Sequence, residues 1–305
     1  MTLPFLLSLT FATLLCATFA GQVLRVVLRS DGARATVANA NIRIAAWWVL
    51  CSMIGLALAL GSGVVVAVFA VLSCLAVLEF ASMAADRPPR YSLCILTAVQ
   101  YGFVWTGSYP LFSIAIPLIA PMYFPLRAAL RGDTDRFLER AAGNTWAVAV
   151  CAYGVSHVPA LLSLNIPGYA GRNTTLLFYF LLVVQSSDVF QYCWGKLAGR
   201  TPIAPRISPN KTWEGFLGGV FTSTAIGTAL YKATPFGPWQ AAGLCAIVTL
   251  MGFAGGLVLS ACKRQHGVED FGTLVSGHGG VLDRLDSICF SAPVFYHLVR
   301  YSYTA

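Results

Sequence analysis

The stretch from residue 260 to residue 286 concentrates groups that can do chemistry. It holds four of the chain's twelve carboxylates and two of its four histidines, together with three cations and five glycines. Its acids and cations are Glu269, Asp270, Asp283, Asp286, Lys263, Arg264 and Arg284. Acids beside cations in a glycine-rich segment are typical of sites that bind a metal ion and phosphate.

Two of these acids, Asp283 and Asp286, stand three residues apart at the start of the last predicted helix. This spacing places both carboxylates on one helical face, and hard oxygen ligands on one face suit Mg²⁺. The alternative is helix capping by Asp283. Capping explains one acid and leaves the partner, with Glu269 and Asp270 nearby, unexplained, so metal binding is the favoured interpretation.

A glycine-rich loop, Gly277-His278-Gly279-Gly280, precedes the acid pair. Glycines let backbone amides approach a ligand closely, and such loops can cradle phosphate. A lone glycine-rich loop is weak evidence, and a single histidine is more often structural than catalytic. The position of this loop between Lys263 and the acid pair strengthens the prediction of a phosphate site.

Asp188 lies inside an apolar run of residues. A carboxylate at membrane depth costs roughly 2.5–3.5 kcal/mol on insertion scales, and such residues usually face a protein cavity. The alternatives are a structural role or a position near the membrane interface. A functional acid is the favoured interpretation.

The segment 208–215 opens another apolar run and offers Ser208, Asn210 and Lys211. At a helix N-terminus these side chains would form an anion site. The alternative is a helix cap with lysine and tryptophan anchoring the membrane interface, and spacing does not choose between the two. Together, metal-binding acids and phosphate-binding cations at a membrane face indicate a nucleotide and a lipid, without naming either.

The elements that must position these groups are apolar helices. The chain has 305 residues, of which 57% are hydrophobic and 10% charged, and its mean hydropathy is +0.71. Soluble domains carry about 25% charged residues, and a helix needs about 20 apolar residues to cross a bilayer. We predict an all-α, polytopic integral membrane protein. The nine cysteines, scattered without a Cys-x-x-Cys motif, predict neither structural zinc nor a disulfide framework.

Ten apolar runs predict nine or ten transmembrane helices, because the second and third runs could merge. The runs cover residues 3–27, 45–60, 63–83, 91–105, 111–126, 146–164, 174–193, 212–231, 239–260 and 287–303. No Lys or Arg precedes the first run, which favours a retained span over a cleaved signal peptide. The polar groups predict a scaffold over residues 1–145 and a catalytic region over residues 146–305. The pairs Gly215/Gly219 and Gly252/Gly256 predict close helix packing.

The net charge of +8 is distributed unevenly among the loops. Seventeen of the twenty Lys and Arg residues fall in one set of alternate loops, and three fall in the other. By the positive-inside rule the first set is cytoplasmic, which accounts for the charge without a nucleic acid. The stretch 260–286 and the loop 195–211 belong to that set, so the predicted site faces the cytoplasm from the inner membrane.

The order of these residues resembles a known family. The chain reads Ser260-x-x-Lys263-Arg264-x-x-x-x-Glu269-Asp270 and then His278-Gly279-Gly280-x-x-Asp283-Arg284-x-Asp286. This long motif resembles that of the phosphatidate cytidylyltransferase (CDP-diacylglycerol synthase) family. Ser208-Pro209-Asn210-Lys211-Thr212 resembles the family's Ser-Pro-x-Lys-Thr loop, and Asp188 stands where the family has an intramembrane Asp. The resemblance covers residues 180–303.

The resemblance implies transfer of CMP from CTP to phosphatidate, which gives CDP-diacylglycerol and pyrophosphate. It implies Mg²⁺, a second monovalent cation such as K⁺, and a homodimer in the lipid bilayer. Asp270 and Asp283 would then be metal ligands, supported by Asp188 and Asp286. The residues implied to bind phosphate or substrate are Lys211, Lys263, Arg264, Arg284, Ser208, Asn210, His278, Gly279 and Gly280.

Four positions depart from the family's pattern. Glu269 replaces a usual Lys, Ser276 replaces a usual Pro, and Gly256 and Leu259 stand where many members have Asp and Glu. These departures are typical of a divergent paralogous branch. The alternatives are therefore the same chemistry on another lipid phosphate, a membrane transporter, or a regulatory partner that binds CTP without turning it over.

Overall fold

The computed structural model describes residues 1–27, 31–83, 89–272 and 279–304, and these ranges are almost entirely helical. The α-helices within them are α1 (Leu3–Val27), α2 (Asp31–Leu60), α3 (Ser62–Ser82), α4 (Arg90–Thr106), α5 (Tyr109–Leu130), α6 (Phe137–Ala147), α7 (Val155–Ala160), α8 (Asn173–Ala198), α9 (Trp213–Ala229), α10 (Pro238–Gln265) and α11 (Leu282–Tyr303). The predicted all-α, polytopic fold class is confirmed.

Glycines in the gaps between the predicted apolar runs end two of these helices. Gly61 has φ +116° between α2 and α3, so the second and third runs do not merge. Gly107 caps the end of α4 in a left-handed conformation, as glycine commonly does after a helix. Between α6 and α7 the backbone continues as a π-helix, Val148–Gly154.

Six helical segments are long and apolar enough to cross a bilayer by length and composition. These segments are Leu3–Val27, Ser62–Ser82, Tyr109–Leu130, Phe137–Ser163, Asn173–Ala198 and Pro238–Gln265. The protein is therefore a multi-pass membrane protein. The number of nine or ten spans stays a prediction.

The chain divides into two compact units, Met1–Val65 and Val66–Ala305. In the first unit α1 packs on α2, where the Trp48 Nε1 group donates to Thr18 Oγ1 at 3.0 Å and the Phe11 and Trp48 rings stack. The second unit contains all the predicted site residues that the structure describes. It also includes helices from both sides of residue 145, so the predicted boundary at 145 stays a prediction.

Small residues bring α8, α9 and α10 of the second unit close together. A methyl group on Gly219 would lie 2.3 Å from the Gln191 Cγ atom of α8. One on Gly252 would lie 3.3 Å from the Ser287 Cβ atom of α11. The predicted close packing is confirmed at Gly219 and Gly252, since a methyl group at either position would contact a residue of a neighbouring helix.

A short hairpin stands where the sequence indicated the start of a helix. Strand β1 (Pro202–Ala204) pairs antiparallel with β2 (Ser208–Thr212), and α9 begins only at Trp213. The residues 208–211 therefore lie on a strand that leads directly into α9, and their role as an anion site stays a prediction. Thr212 ends the strand and caps the helix, because its Oγ1 accepts from the Gly215 N–H at 3.1 Å.

Candidate active site

Asp283, in the first turn of α11, is held by three donors. Its Oδ1 accepts from Lys263 Nζ at 2.7 Å, and its Oδ2 accepts from the backbone N–H groups of Phe271 and Gly280, both at 2.9 Å. The side chains of Lys263 and Asp283 are only 13% and 9% exposed. A nearly buried ion pair with two further hydrogen bonds fixes the carboxylate in one position.

Asp270 lies beside this carboxylate, and Gly279 shows how close the two are. A methyl group on Gly279 would lie 2.6 Å from Asp283 Oδ2 and 3.0 Å from Asp270 Oδ1. The two oxygens are therefore at most about 5.6 Å apart, the sum of those distances. The structure thus brings together the two acids that the resemblance assigned to one metal ion, and Asp270 is exposed at the surface.

Glu79, near the end of α3, contacts the start of the helix that carries Asp283. Its carboxylate oxygens accept from the backbone N–H groups of Val281 and Leu282, at 2.9 and 2.8 Å. A carboxylate on the first amides of α11 satisfies donors that lack helical partners and favours the helix dipole. Glu79 therefore sets the position of the helix that carries Asp283.

The sequence did not lead to Glu79, because the catalytic region was predicted over residues 146–305. The signal was present, since Glu79 is the one charged residue in the run 62–82. The argument applied to Asp188, that an acid within an apolar run is costly and faces protein, applies equally to Glu79.

A second acid pair joins α8 to α11. The Ser287 hydroxyl donates to Asp188 Oδ2 at 2.6 Å and lies 3.3 Å from Asp286 Oδ1. The Ser287 N–H also donates to Asp286 Oδ1, at 2.7 Å. Ser287 is 1% exposed, so it is a buried bridge between the two carboxylates. No motif in the sequence indicated this serine.

Lys211, on β2, is the cation nearest this second pair. A methyl group on Gly256 would lie 2.9 Å from Lys211 Nζ and 3.3 Å from Asp286 Oδ2, and Nζ lies 4.9 Å from the Phe253 ring centroid. Among the described residues Lys211 has no ion pair within 4.0 Å and no side-chain hydrogen bond. Burial lowers the pKa of Lys211, against the attraction of Asp286 and Asp188. This ammonium group is available to an incoming anion.

Gly256 explains how the lysine fits. Many members of the resembling family have Asp where this chain has Gly256. In this chain the position borders the Lys211 ammonium group. Leu259, the other departure on α10, is fully buried. Glu269 is exposed. A side chain at position 256 would therefore contact the Lys211 ammonium group.

The remaining basic residues have mixed surroundings. Arg264 donates to the carbonyl oxygens of Ile207 and Val268, at 3.2 and 3.0 Å, and so links the hairpin to the end of α10. Arg284 is partly buried on the first turn of α11, and its carbonyl accepts from Gln185 at 3.5 Å. Their roles in phosphate binding stay predictions.

The other predicted substrate residues are distributed differently. Ser208 and Asn210 occupy alternate positions of β2, and neither side chain hydrogen-bonds another group in the part of the chain that the structure describes. The Gly280 N–H is already bonded to Asp283, and Gly279 is buried beside the acid pair. His278 and Ser276 lie outside the described residues.

These groups can hold a divalent ion through two carboxylates. Across the described ranges, no group of three or more His, Cys, Asp or Glu side chains is arranged to hold a metal. Mg²⁺ needs fewer protein ligands, because it commonly binds one or two carboxylates together with water and substrate phosphates. Asp270 and Asp283 fit that pattern, and the Lys211 ammonium group lies near the second acid pair.

The chain is similar to known proteins along most of its length. The sequence model of the cytidylyltransferase family matches residues 41–302. YnbB, an uncharacterised protein of Escherichia coli (strain K12), is 33% identical over 301 residues, which are 97% of each chain.

Named enzymes align with a shorter part of the chain. A phosphatidate cytidylyltransferase of Aquifex aeolicus (strain VF5) is 41% identical over 139 residues, which are 45% of this chain and 52% of that protein. One of Mycobacterium leprae (strain TN) is 42% identical over 175 residues, 57% of this chain and 54% of that protein. This chain therefore aligns with about half the length of these two enzymes.

Proposed function

The chain belongs to the cytidylyltransferase family, and on that premise we propose that it transfers CMP from CTP to phosphatidate, giving CDP-diacylglycerol and pyrophosphate. The reaction takes place at the cytoplasmic face of the inner membrane, with Mg²⁺ as cofactor, a monovalent cation such as K⁺ nearby, and a homodimer as the assembly. Of these statements, the nucleotidyltransferase class follows from the family itself.

The observation that carries the proposal is the fixed carboxylate of Asp283 beside Asp270. Asp283 is tied to Lys263 and to two backbone amides, so its position does not depend on a ligand. Two adjacent carboxylates would hold Mg²⁺, which when bound neutralises negative charge on the triphosphate. The Lys211 ammonium group, without an ion pair in the described chain, binds phosphate oxygens on the other side of the site.

The reaction depends chiefly on how the protein aligns the lipid phosphate with CTP. A phosphate oxygen of the lipid attacks the α-phosphorus of CTP, the bond from that phosphorus to the bridging oxygen breaks, and its electron pair leaves with pyrophosphate. The lipid phosphate is already anionic near neutral pH, because its second pKa is about 6, so no strong general base is required. Lys211 would neutralise negative charge on the reacting groups, and Asp270 and Asp283 would hold the Mg²⁺ ion that aligns and neutralises the triphosphate.

A second candidate keeps this chemistry and changes the lipid. The relative that aligns along 97% of the chain is uncharacterised, and Gly256 departs from the pattern of the resembling family at a position that borders Lys211. A change beside a phosphate-binding cation favours a different acceptor, such as a prenyl or glycolipid phosphate.

A lipid panel tests both candidates. Purified protein is incubated with labelled CTP and with phosphatidate, prenyl phosphate or a glycolipid phosphate, and labelled CDP-lipid is measured. Product from phosphatidate above the other lipids supports the first candidate, and product from another lipid supports the second. The absence of product from every lipid contradicts both, and full activity in EDTA contradicts the metal.

Asp283→Asn tests the site directly. The amide keeps the size of the side chain and loses the charge that pairs with Lys263 and would bind metal, so turnover is expected to fall at least 100-fold. Asp135→Asn is the control, because Asp135 is exposed and its side chain makes no hydrogen bond within the described residues. Equal activity of the two variants would contradict the assignment of Asp283.

A further inference from the structure

A cavity of about 760 Å³ lies within the unit 66–305, beside the acid site. Its walls are formed by the ends of α3, α5 and α10 and by α6. Three phenyl or indole side chains, those of Phe80, Phe124 and Trp146, line part of its wall. Arginines line another part, so the cavity has an apolar side and a cationic side.

The arginines outnumber the acids in this wall. Of the residues that the structure describes, four arginines and two acids line the cavity. Arg136 is paired with Glu139, and Arg140 is paired with Asp133 at 2.7 Å. These pairs account for both acids and leave two further arginines to consider.

Those two arginines are Arg127 and Arg131, at the end of α5. Neither has an ion pair or side-chain hydrogen bond among the residues that the structure describes. They stand four residues apart, so their side chains project from the same face of the helix end. Guanidinium groups bind phosphate through two parallel hydrogen bonds. Two such groups on one wall of a cavity suit a ligand with a terminal phosphate.

One aromatic ring separates this cavity from the acid site. The Phe80 ring lies 5.1 Å from the Trp146 ring and 6.1 Å from the Phe271 ring, between centroids. Phe271 is the residue whose N–H donates to Asp283. Phe80 also follows Glu79, which holds the start of α11. The wall of the cavity therefore contacts the residue that helps to hold Asp283.

The position of the cavity favours a lipid over a free anion. It borders the ends of the apolar segments Ser62–Ser82, Tyr109–Leu130 and Pro238–Gln265 and the start of Phe137–Ser163. Where spanning segments end, a lipid headgroup meets water. A lipid can place its phosphate on the arginines and its glycerol or first methylenes against Phe80 and Trp146. A free phosphate would make no favourable contact with the apolar wall.

We propose that this cavity binds the phosphomonoester headgroup of the acceptor lipid through Arg127 and Arg131. The assignment rests on the proposed function, which requires an acceptor phosphate close to the nucleotide. The same chemistry is shared by CTP and by inorganic phosphate, so the experiment compares all three.

The test measures binding and turnover separately. Variants R127A, R131A, the double alanine variant and the double lysine variant are compared for equilibrium binding of a fluorescent short-chain phosphatidate, and for KM toward phosphatidate and CTP. Loss of both guanidinium groups is expected to weaken phosphatidate binding at least tenfold and to leave the KM for CTP within twofold. The double lysine variant is expected to bind phosphatidate with an affinity between those of the wild type and the double alanine variant, since it keeps the charge and loses the paired hydrogen bonds.

The matched control is R206A. Arg206 is exposed, belongs to the same predicted cytoplasmic set of loops and does not line the cavity, so its variant is expected to match the wild type. A folded double alanine variant with wild-type phosphatidate affinity would overturn the proposal. A raised KM for CTP alone would also overturn it, in favour of a nucleotide site.

Chemical modification of the wild type keeps the test independent of folding in the variants. Phosphatidate is expected to protect Arg127 and Arg131 from phenylglyoxal, as read by mass spectrometry, where CTP and inorganic phosphate do not. Equal protection by inorganic phosphate would overturn the lipid assignment. Binding and protection are measured without turnover, so a protein that forms no CDP-lipid while binding phosphatidate here contradicts the proposed function alone.

Discussion

At the scale of single residues, Glu79 joins parts of the chain about 200 positions apart. Its carboxylate accepts the backbone N–H groups of Val281 and Leu282, immediately before the catalytic candidate Asp283. The contact stabilises the start of helix α11, where backbone N–H groups have no helical partner. The residue acts through α11 and is a positioning residue.

The first prediction concerns this contact. In Glu79→Gln one acceptor oxygen becomes an NH₂ group facing a backbone N–H, so we expect a loss of about 1–3 kcal/mol in unfolding free energy and a lower kcat. Thermal unfolding in detergent and CDP-lipid formation measure the two effects. Glu269→Gln is the control, because Glu269 is exposed and makes no side-chain hydrogen bond within the described residues. Equal stability of both variants would contradict the positioning role.

The second prediction concerns Ser287, the bridge between Asp188 and Asp286. Ser287→Ala removes the hydroxyl that donates to Asp188 at 2.6 Å and leaves two partly buried acids without their bridge. A hydrogen bond to a charged group contributes about 1.5–3 kcal/mol. The unfolding free energy is therefore expected to fall by about that amount, and the rate of turnover is expected to fall with it.

Ser291→Ala controls for the loss of a buried hydroxyl. Ser291 is equally buried one turn later in α11, and its hydroxyl donates only to the Ser287 carbonyl, which already serves the helix. Its replacement is expected to cost less than about 1 kcal/mol. If unfolding in urea shows no difference between the two alanine variants, the acid pair does not depend on Ser287.

At the scale of elements, helix α10 leaves a gap that the Lys211 ammonium group approaches. The third prediction is that Gly256→Ala raises the KM for CTP several-fold with little loss of stability. The new methyl group would lie 2.9 Å from Lys211 Nζ, and the end of a lysine chain moves away at small cost. The phosphate-binding cation is then displaced while the fold remains.

Gly243→Ala on the same helix separates this effect from helix propensity. A methyl group on Gly243 meets nothing within 4 Å, so this variant is expected to gain up to about 1 kcal/mol with an unchanged KM. Steady-state kinetics with varied CTP measures the difference. An equal KM in both variants would place Lys211 outside the nucleotide site.

The elements also show what the sequence could predict. The run 3–27 coincides with α1, and the break at Gly61 was indicated by local residues, because apolar length and turn chemistry are local properties. The hairpin 202–212 was missed, since a short strand leaves no periodic signal. The contacts of Glu79 and Ser287 depend on which helices meet, and a single sequence contains no local sign of that meeting. The proximity of Asp270 and Asp283 was anticipated only because both belong to one motif.

At the scale of the whole molecule, the direction in which α8 crosses the membrane determines where the site opens. The helix has 26 residues, about 39 Å at 1.5 Å per residue, enough to cross the hydrocarbon core. Its end leads into the hairpin, with four basic residues over 196–211, and its start follows a loop with one. Asp188 lies ten residues before the end, about 15 Å from it, so the second acid pair lies below the hairpin surface.

The fourth prediction follows from that direction. A cysteine placed at Arg206 in the hairpin is expected to react with a membrane-impermeant maleimide in inside-out vesicles only, and one placed at Asn165 in right-side-out vesicles only. Both positions are exposed, and they lie beyond opposite ends of α8. The wild type, with its nine native cysteines, measures the background. Labelling of both positions from one side would mean that α8 does not span, and Asp188 would then not lie at membrane depth. Labelling in the reversed sense would place the nucleotide site on the face without CTP, which the positive-inside distribution argues against.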